Sequence, residues 1–192
     1  MKGSSSGGVF PALARNVVDD GGVVYGAVMN PDLVVSHTDA EDMDGIERMR
    51  GSKYVQSELY ASFEDVKDLL EEGRRVMFTG TPCQIAGLKS YLGKDHPQLL
   101  TVDFACHGVP SPGLWEKYVK SLCLKYGSGI EEIRFRGKDR SWRQYDLVLN
   151  AGDREIVVQH QKDPYMLLFL QDMTLRPSCY KCGFRSGSSG SD

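Results

Sequence analysis

No apolar run in this sequence approaches the roughly 18 residues that a membrane-spanning helix requires, so no bilayer span is expected. The opening segment, Met1 to Gly8, lacks the apolar core of a signal peptide, and the expected compartment is the cytoplasm. An excess of one charge is also missing. Against 23 Lys and Arg stand 26 Asp and Glu, a formal net charge of −3 with no like-charged block, which gives no argument for nucleic acid or an anionic membrane as partner. The glycine-rich turns match neither the dinucleotide fingerprint GxGxxG nor the phosphate-loop pattern GxxxxGK(S/T), so neither a Rossmann site nor a P-loop is implied. No internal repeat is present. Cysteine is sparse and odd in number, five in all, and a leaderless chain keeps its thiols reduced, so a disulfide framework is not expected. Cysteines that cluster in such a chain point to metal binding or catalysis.

What is present reads as an ordinary globular chain, with 41% apolar and 26% charged residues in 192. Capping serines and the Asp19–Gly22 stop bound a helix over 7–18, followed by a strand over Val23–Met29, a turn at Asn30–Asp32 and a second strand over 33–36. Helical spacing covers 40–50 and 58–72, the latter with Leu59, Phe63, Val66, Leu69 and Leu70 on one face. A strand over 74–79, a helix over 82–92, a strand over 99–105 and a helix over 112–126 follow, the last with Ser111 as cap and Pro112 at its first position. This alternation predicts an α/β fold with a parallel or mixed sheet flanked by helices. After Gly127 the pattern changes to antiparallel strands at 130–136, 145–149 and 155–160, then a helix over 163–173 and a C-terminal cysteine loop. The organisation expected is one domain over 1–185, with 126–160 as an antiparallel extension, and a flexible Gly/Ser tail over 186–192.

The sharpest local signal is the run Arg176 to Cys182, in which Cys179 and Cys182 form a CxxC turn behind Pro177. By itself this fits zinc, an iron–sulfur cluster or a dithiol switch, and no second CxxC completes a ligand set. Cys83 and Cys106 are the further candidates. Each follows a predicted strand, so both should emerge on the carboxyl edge of the sheet, where open α/β folds bind ligands. Cys83 also opens a helix, whose dipole favours a thiolate or bound anion. Cys123 falls inside a predicted helix and reads as a packing thiol. By count, four thiols on three loops fit iron–sulfur and structural zinc equally. The turns Ser4–Gly8 and Gly80–Pro82 precede helices and suit a phosphate or simple capping. Gly51–Ser57 offers a cation, an aromatic ring and an amide, or is a solvated loop. His107, next to Cys106, could donate to a cluster sulfur or bind flavin, and His107 and His37 are equally readable as structural histidines.

Six segments taken together in order, Ser4–Phe10, Gly21–Ala27, Arg50–Ser57, Gly80–Leu88, Cys106–Pro112 and Arg176–Cys182, resemble the coenzyme F420 hydrogenase/dehydrogenase beta-subunit family, especially its bacterial iron–sulfur branch. The resemblance spans essentially the whole chain. It implies a flavin- and iron–sulfur-dependent electron-transfer oxidoreductase that exchanges a hydride at FAD and single electrons through a 4Fe-4S cluster. Carried over, it makes Cys83, Cys106, Cys179 and Cys182 the cluster ligands. It turns Ser5, Ser6, Gly7, Gly8, Lys53, Tyr54, Gln56, Gly80, Thr81, Pro82, Gln84 and His107 toward the flavin. It implies a redox partner protein or ferredoxin-like segment, and deazaflavin or nicotinamide as hydride partner. Relatives carry a ferredoxin-like segment before the serine–glycine motif and continue beyond the position of Asp192, so the resemblance also implies a fragment with incomplete turnover. The alternative is a non-enzymatic four-cysteine zinc or interaction domain associated with polysaccharide biosynthesis. A glycan-modifying enzyme is a further rival, for which no residue supplies a sugar site.

Overall fold

A β-hairpin sets one edge of the main sheet in the computed structural model, which describes residues 8–127, 129–137 and 146–184. Strand β1 (Val23–Met29) pairs antiparallel with β2 (Val35–Ala40), from Val24 opposite Ala40 to Met29 opposite Val35. The second strand starts later than 33 because the turn is longer than its Asn-Pro signature suggests. Asn30 Oδ1 accepts the Val34 N–H at 2.9 Å and Leu33 is left-handed at φ 60°, so the ladder resumes only at Val35. Strands β3 (Val76–Thr79) and β4 (Leu99–Val102) add in parallel, which gives a mixed sheet of order β2-β1-β3-β4. The expected parallel or mixed sheet is thus present, with helices on both faces.

Helices α1 (Val9–Asp19) and α2 (Met43–Met49) cover one face around Val17, Val24, Ile46 and Met77. Helices α3 (Ser62–Glu71) and α4 (Pro82–Leu92) cover the other, around Val66, Phe78, Ile85 and Leu88. Both α2 and α3 are shorter than their sequence periodicity predicts. Residue Ala40 completes the β1–β2 ladder, and Asp42 caps α2 by accepting the Gly45 N–H at 2.8 Å. The 58–61 stretch is taken from α3 by β2, since Glu58 N–H donates to the Val35 carbonyl at 2.9 Å and its own carbonyl accepts from His37.

Helix α5 (Pro112–Tyr126) leads into a separate antiparallel sheet of β5 (Ile130–Gly137), β6 (Asp146–Ala151) and β7 (Arg154–Gln159). A 3-10 turn at His160–Lys162 precedes α6 (Pro164–Leu170), and a last short helix, α7 (Pro177–Tyr180), carries the first cysteine of the CxxC turn. The second core packs Trp115, Tyr118, Phe135, Leu147, Tyr165 and Phe169 together, each large side chain contributing about 1.5–3 kcal/mol on burial. Leu33 and Val35 belong to this core as well, and Trp115 Nε1–H donates to the Leu33 carbonyl at 2.8 Å, so the hairpin locks one sheet onto the other. The 163–173 helix ends early, at Leu170. Asp172 turns left-handed at φ 60° while the N–H of Met173 closes on Leu168 at 3.0 Å, a Schellman-type stop. The tail expected at 186–192 lies outside the described residues. No helix among those described is long and apolar enough to cross a membrane.

Candidate functional site

Strands β3 and β4 are neighbours whose last residues, Thr79 and Val102, stand opposite one another in the parallel register. Cys83 and Cys106 each come four residues after those ends. The expectation that Cys106 directly follows its strand is corrected, because β4 stops at Val102 and residues 103–109 run as a loop. The consequence survives the correction. Both thiols leave the sheet at the same carboxyl edge, from adjacent strands.

The exposed Cys83 lies in the first turn of α4, and its Sγ is 3.1 Å from the Thr81 hydroxyl. This helix start is rigid. Pro82 occupies its first position, and Gln84 Oε1 accepts the Thr81 N–H at 2.9 Å. A β-carbon on Gly80 would stand 2.9 Å from Gln84 Oε1, so a larger residue there would displace the Gln84 side chain. The reading of this turn as a source of bare N–H donors is not upheld for two of its residues. Gly80 N–H donates to the Val102 carbonyl at 3.1 Å, and that of Thr81 is used by Gln84.

The Cys106 loop is bonded to the C-terminal cysteine turn along its length. Arg176 N–H donates to the Val109 carbonyl at 2.9 Å, Ser111 N–H to the Thr174 carbonyl at 3.2 Å, and Pro110 bridges Leu175. His107 Nε2 lies 2.7 Å from Asp172 Oδ1 and 3.3 Å from the Phe169 carbonyl, which ties the loop to the end of α6. That nitrogen is therefore committed to α6 rather than left for a ligand. On the other side Cys179 N–H donates to the Arg176 carbonyl at 2.8 Å and Cys182 N–H to Cys179 at 3.4 Å, folding the CxxC turn onto α7. Cys179 packs against the core that contains Leu175 and Phe169.

The Cys106 thiol senses the other three candidate cysteines. Burial pushes the Cys106 thiol above its ordinary range, an N–H of Gly108 opposes this, and negative charge on Cys83, Cys179 and Cys182 raises it further. Only groups within a short distance couple in this way, and Cys123, half-buried on α5, is not among them. Among the described residues no three or more His, Cys, Asp or Glu side chains are gathered tightly enough to grip a single metal ion. The donor set itself, four thiols on three loops, is of the kind that both four-thiolate clusters and structural zinc take.

The 53–57 segment crosses this edge, and its side chains have partners that the sequence did not disclose. Lys53 Nζ donates to the carbonyls of Arg48, Met49 and Arg50 at 3.2, 2.8 and 3.0 Å, clamping the C-terminus of α2. Desolvation lowers its ammonium to about 8, against the opposing pull of Glu132. All three donors face α2, so the cation expected to face a flavin is a structural clamp. The Tyr54 carbonyl accepts the Tyr165 hydroxyl at 2.7 Å, and its ring lies 5.0 Å from that of Phe169. Gln56 Oε1 accepts from Arg176 Nη1 at 2.7 Å. Ser57, Arg176 and Asp172 carry no individual signal in the sequence, although Ser57 and Arg176 lie inside its motifs. Ser57 Oγ accepts the Gln84 amide N–H at 2.9 Å. Gly8, left-handed at φ 85°, caps α1, whose Phe10 packs against the core cluster that Val28 and Val102 also border. The last turn of α1 is bonded to the start of β1 through Gly22 N–H and the Val17 carbonyl, so its first turn lies toward the carboxyl edge of the sheet, on the face opposite α4. Ser5, Ser6 and Gly7 lie outside the described residues.

Residues 73–188 match a family model that describes the C terminus of the beta chain of coenzyme F420 hydrogenase/dehydrogenase. No curated protein matches the chain. Among solved structures, a chain of the F420-reducing nickel–iron hydrogenase complex from Methanosarcina barkeri, a xenon derivative, is similar in fold, with a TM-score of 0.58 and 17% identity. The likeness covers 94% of this chain and 60% of that one, so the present chain spans less than two thirds of the hydrogenase chain.

Proposed function

Because the chain belongs to the coenzyme F420 hydrogenase/dehydrogenase beta-subunit family, with more than half its length matching that family's model, we propose that it is an electron-transfer oxidoreductase module that binds a 4Fe-4S cluster and FAD. The observation that carries this reading is geometric: Cys83 and Cys106 leave adjacent strand ends at one sheet edge, and the Cys106 loop is bonded along its length to the turn of Cys179 and Cys182. Cys83, Cys106, Cys179 and Cys182 would hold the cluster. Gly8, Tyr54, Gly80, Thr81, Pro82 and Gln84, on the segments around the paired helix starts, would line the flavin site. When bound, these groups supply hydride exchange at the flavin and single-electron transfer at the cluster. The protein's own part is positional. The Thr81–Gln84 box fixes Cys83, the Val109–Arg176 ladder fixes Cys106 beside Cys179, and Leu175 with Phe169 keeps water from the inner side of the cysteine turn.

The hydride partner would be a deazaflavin or nicotinamide, and the electron partner a protein or ferredoxin-like segment, in keeping with the complex in which the similar solved chain is found. A four-cysteine zinc domain is not favoured, since the family match and the similar solved chain are both of hydrogenase subunits. Anaerobic purification and reconstitution, followed by absorption and electron paramagnetic resonance spectra with iron, sulfide, zinc and flavin analysis, tests the proposal. A brown protein with about four irons and one flavin per chain is expected on the four-thiolate cluster stoichiometry. A colourless protein holding stoichiometric zinc and no flavin would refute it.

A further inference from the structure

Arg176 is the node at which three ligand-bearing segments meet. Its N–H reaches the loop of Cys106 through Val109, its carbonyl accepts from Cys179, and its guanidinium donates to Gln56. The next residue along, Ser57, accepts from Gln84, whose oxygen holds Thr81 N–H, and the Thr81 hydroxyl lies against Cys83. Gln56–Ser57 is thus a two-residue bridge from the cysteine turn to the α4 start, beside the direct bond from Gly80 N–H to the Val102 carbonyl at the foot of the Cys106 loop. That bridge is held from outside by the Lys53 clamp on α2 and by the Tyr54–Tyr165 bond to α6. A chain of hydrogen bonds fixed at both ends cannot move at one end without cost at the other.

Resting on the function proposed above, we infer that Gln56, Ser57 and Arg176 are positioning residues that couple the two cofactor sites, so that filling the cysteine site tightens flavin binding at the α4 turn. The physical reason is ordering. Helix α7 is a single turn, and its cap residue Arg176 carries the side-chain bond to Gln56. Ligation of Cys179 and Cys182 fixes α7, hence Arg176, hence Gln56 and Ser57, and finally the Gln84 amide that shapes the Thr81 turn. The ordering cost of the second ligand is then already met by the first, and by linkage the effect must be reciprocal.

The test measures FAD affinity of the full chain anaerobically, with and without the reconstituted cluster, for the wild type and three variants. The wild type should bind FAD about fivefold more tightly when the cluster is present, roughly 1 kcal/mol of coupling. Gln56→Leu, which removes the acceptor, should lower that ratio, leaving only the part that ligation of Cys83 exerts within the α4 turn itself. Gln56→Glu, which keeps an oxygen for Arg176, should retain it, a rescue that loss of packing alone would not give. Ser57→Ala cuts the bridge on its other side and must lower the same ratio, so it decides the matter should Gln56→Leu fail to fold. A wild-type ratio of one, or an unchanged ratio in Gln56→Leu or Ser57→Ala, overturns the coupling. Independent binding of both cofactors would leave the proposed function standing and sink only this inference, whereas binding of neither would remove both.

Discussion

Gly108 stands so close to the cysteine turn that a β-carbon on it would lie 3.3 Å from Cys179 Cβ and 2.8 Å from Leu175 Cδ1. Its φ of +132° is one that side chains rarely adopt. Space and backbone together demand glycine two residues after Cys106, and the demand arises from the approach of two cysteine loops. Gly108→Ala should therefore cost about 1–3 kcal/mol through strain and push the loops apart. The expected outcome is a melting temperature lower by several degrees and a larger fractional loss of reconstituted iron. An unchanged iron content in a folded Gly108→Ala protein would show that the two loops need not touch.

The four-thiol set gives a sharper contrast. Serine replacing Cys83, Cys106, Cys179 or Cys182 removes one soft donor each and should strip most of the iron from the anaerobically reconstituted protein. Cys123→Ser alters a half-buried thiol on α5 and should leave iron content at the wild-type level. Equal iron loss in all five variants would point to general instability rather than ligation.

A stability prediction attaches to Asp163, which is buried at the start of α6. Its Oδ1 caps α6 by accepting the Met166 N–H at 2.9 Å, and its Oδ2 accepts the Tyr118 hydroxyl at 2.7 Å. Asp163→Ala loses a cap, about 1 kcal/mol, and strands a buried hydroxyl, about 1–3 kcal/mol more. For a chain of this size that corresponds to a fall in melting temperature of roughly 5–10 °C. Asp163→Asn keeps an oxygen for the cap and should fall by less than half as much in the same thermal scan.

The elements that sequence specified well are those whose ends are written locally. Helices α4 and α5 run over the expected residues because each begins with a polar cap followed by proline and ends at a glycine with positive φ. Helices α2 and α3 fall short of their periodicity because their outer residues are claimed by β2, a contact made through distant residues that periodicity does not register. The same division holds in the site. Cysteines can be assigned to strand ends from the order of elements, but Lys53 turns to the carbonyls of α2 and His107 to Asp172. Their partners depend on where whole helices come to rest. The link from Arg176 to Gln56 spans 120 positions and joins two separate motifs, neither of which contains a sign of the other.

His37 gives the last prediction, and it concerns acid stability. The ring is 5% exposed, stacked 5.1 Å from Phe78, with Nε2 at 2.9 Å from the Thr79 carbonyl and Nδ1 buried without a partner among the described residues. A carbonyl only accepts, so Nε2 carries the proton and the neutral tautomer is the one the fold selects. Burial lowers its pKa from 6.5, the Thr79 carbonyl opposes this, and the nearby Lys53 charge adds to the lowering. The unfolded chain takes up the proton near 6.5 while the folded chain resists it until lower pH. Below 6.5 the unfolded state consequently binds more protons, and the contribution of His37 to stability, complete above that value, is lost as pH falls toward the folded pKa. Melting temperature should drop between about pH 7 and pH 5 in the wild type, and the drop should be smaller in His37→Gln, which has no proton to gain. Parallel melting curves for the two proteins across that range would mean that His37 is free to charge in the folded state, and that the edge of the sheet beside Thr79 is open to water.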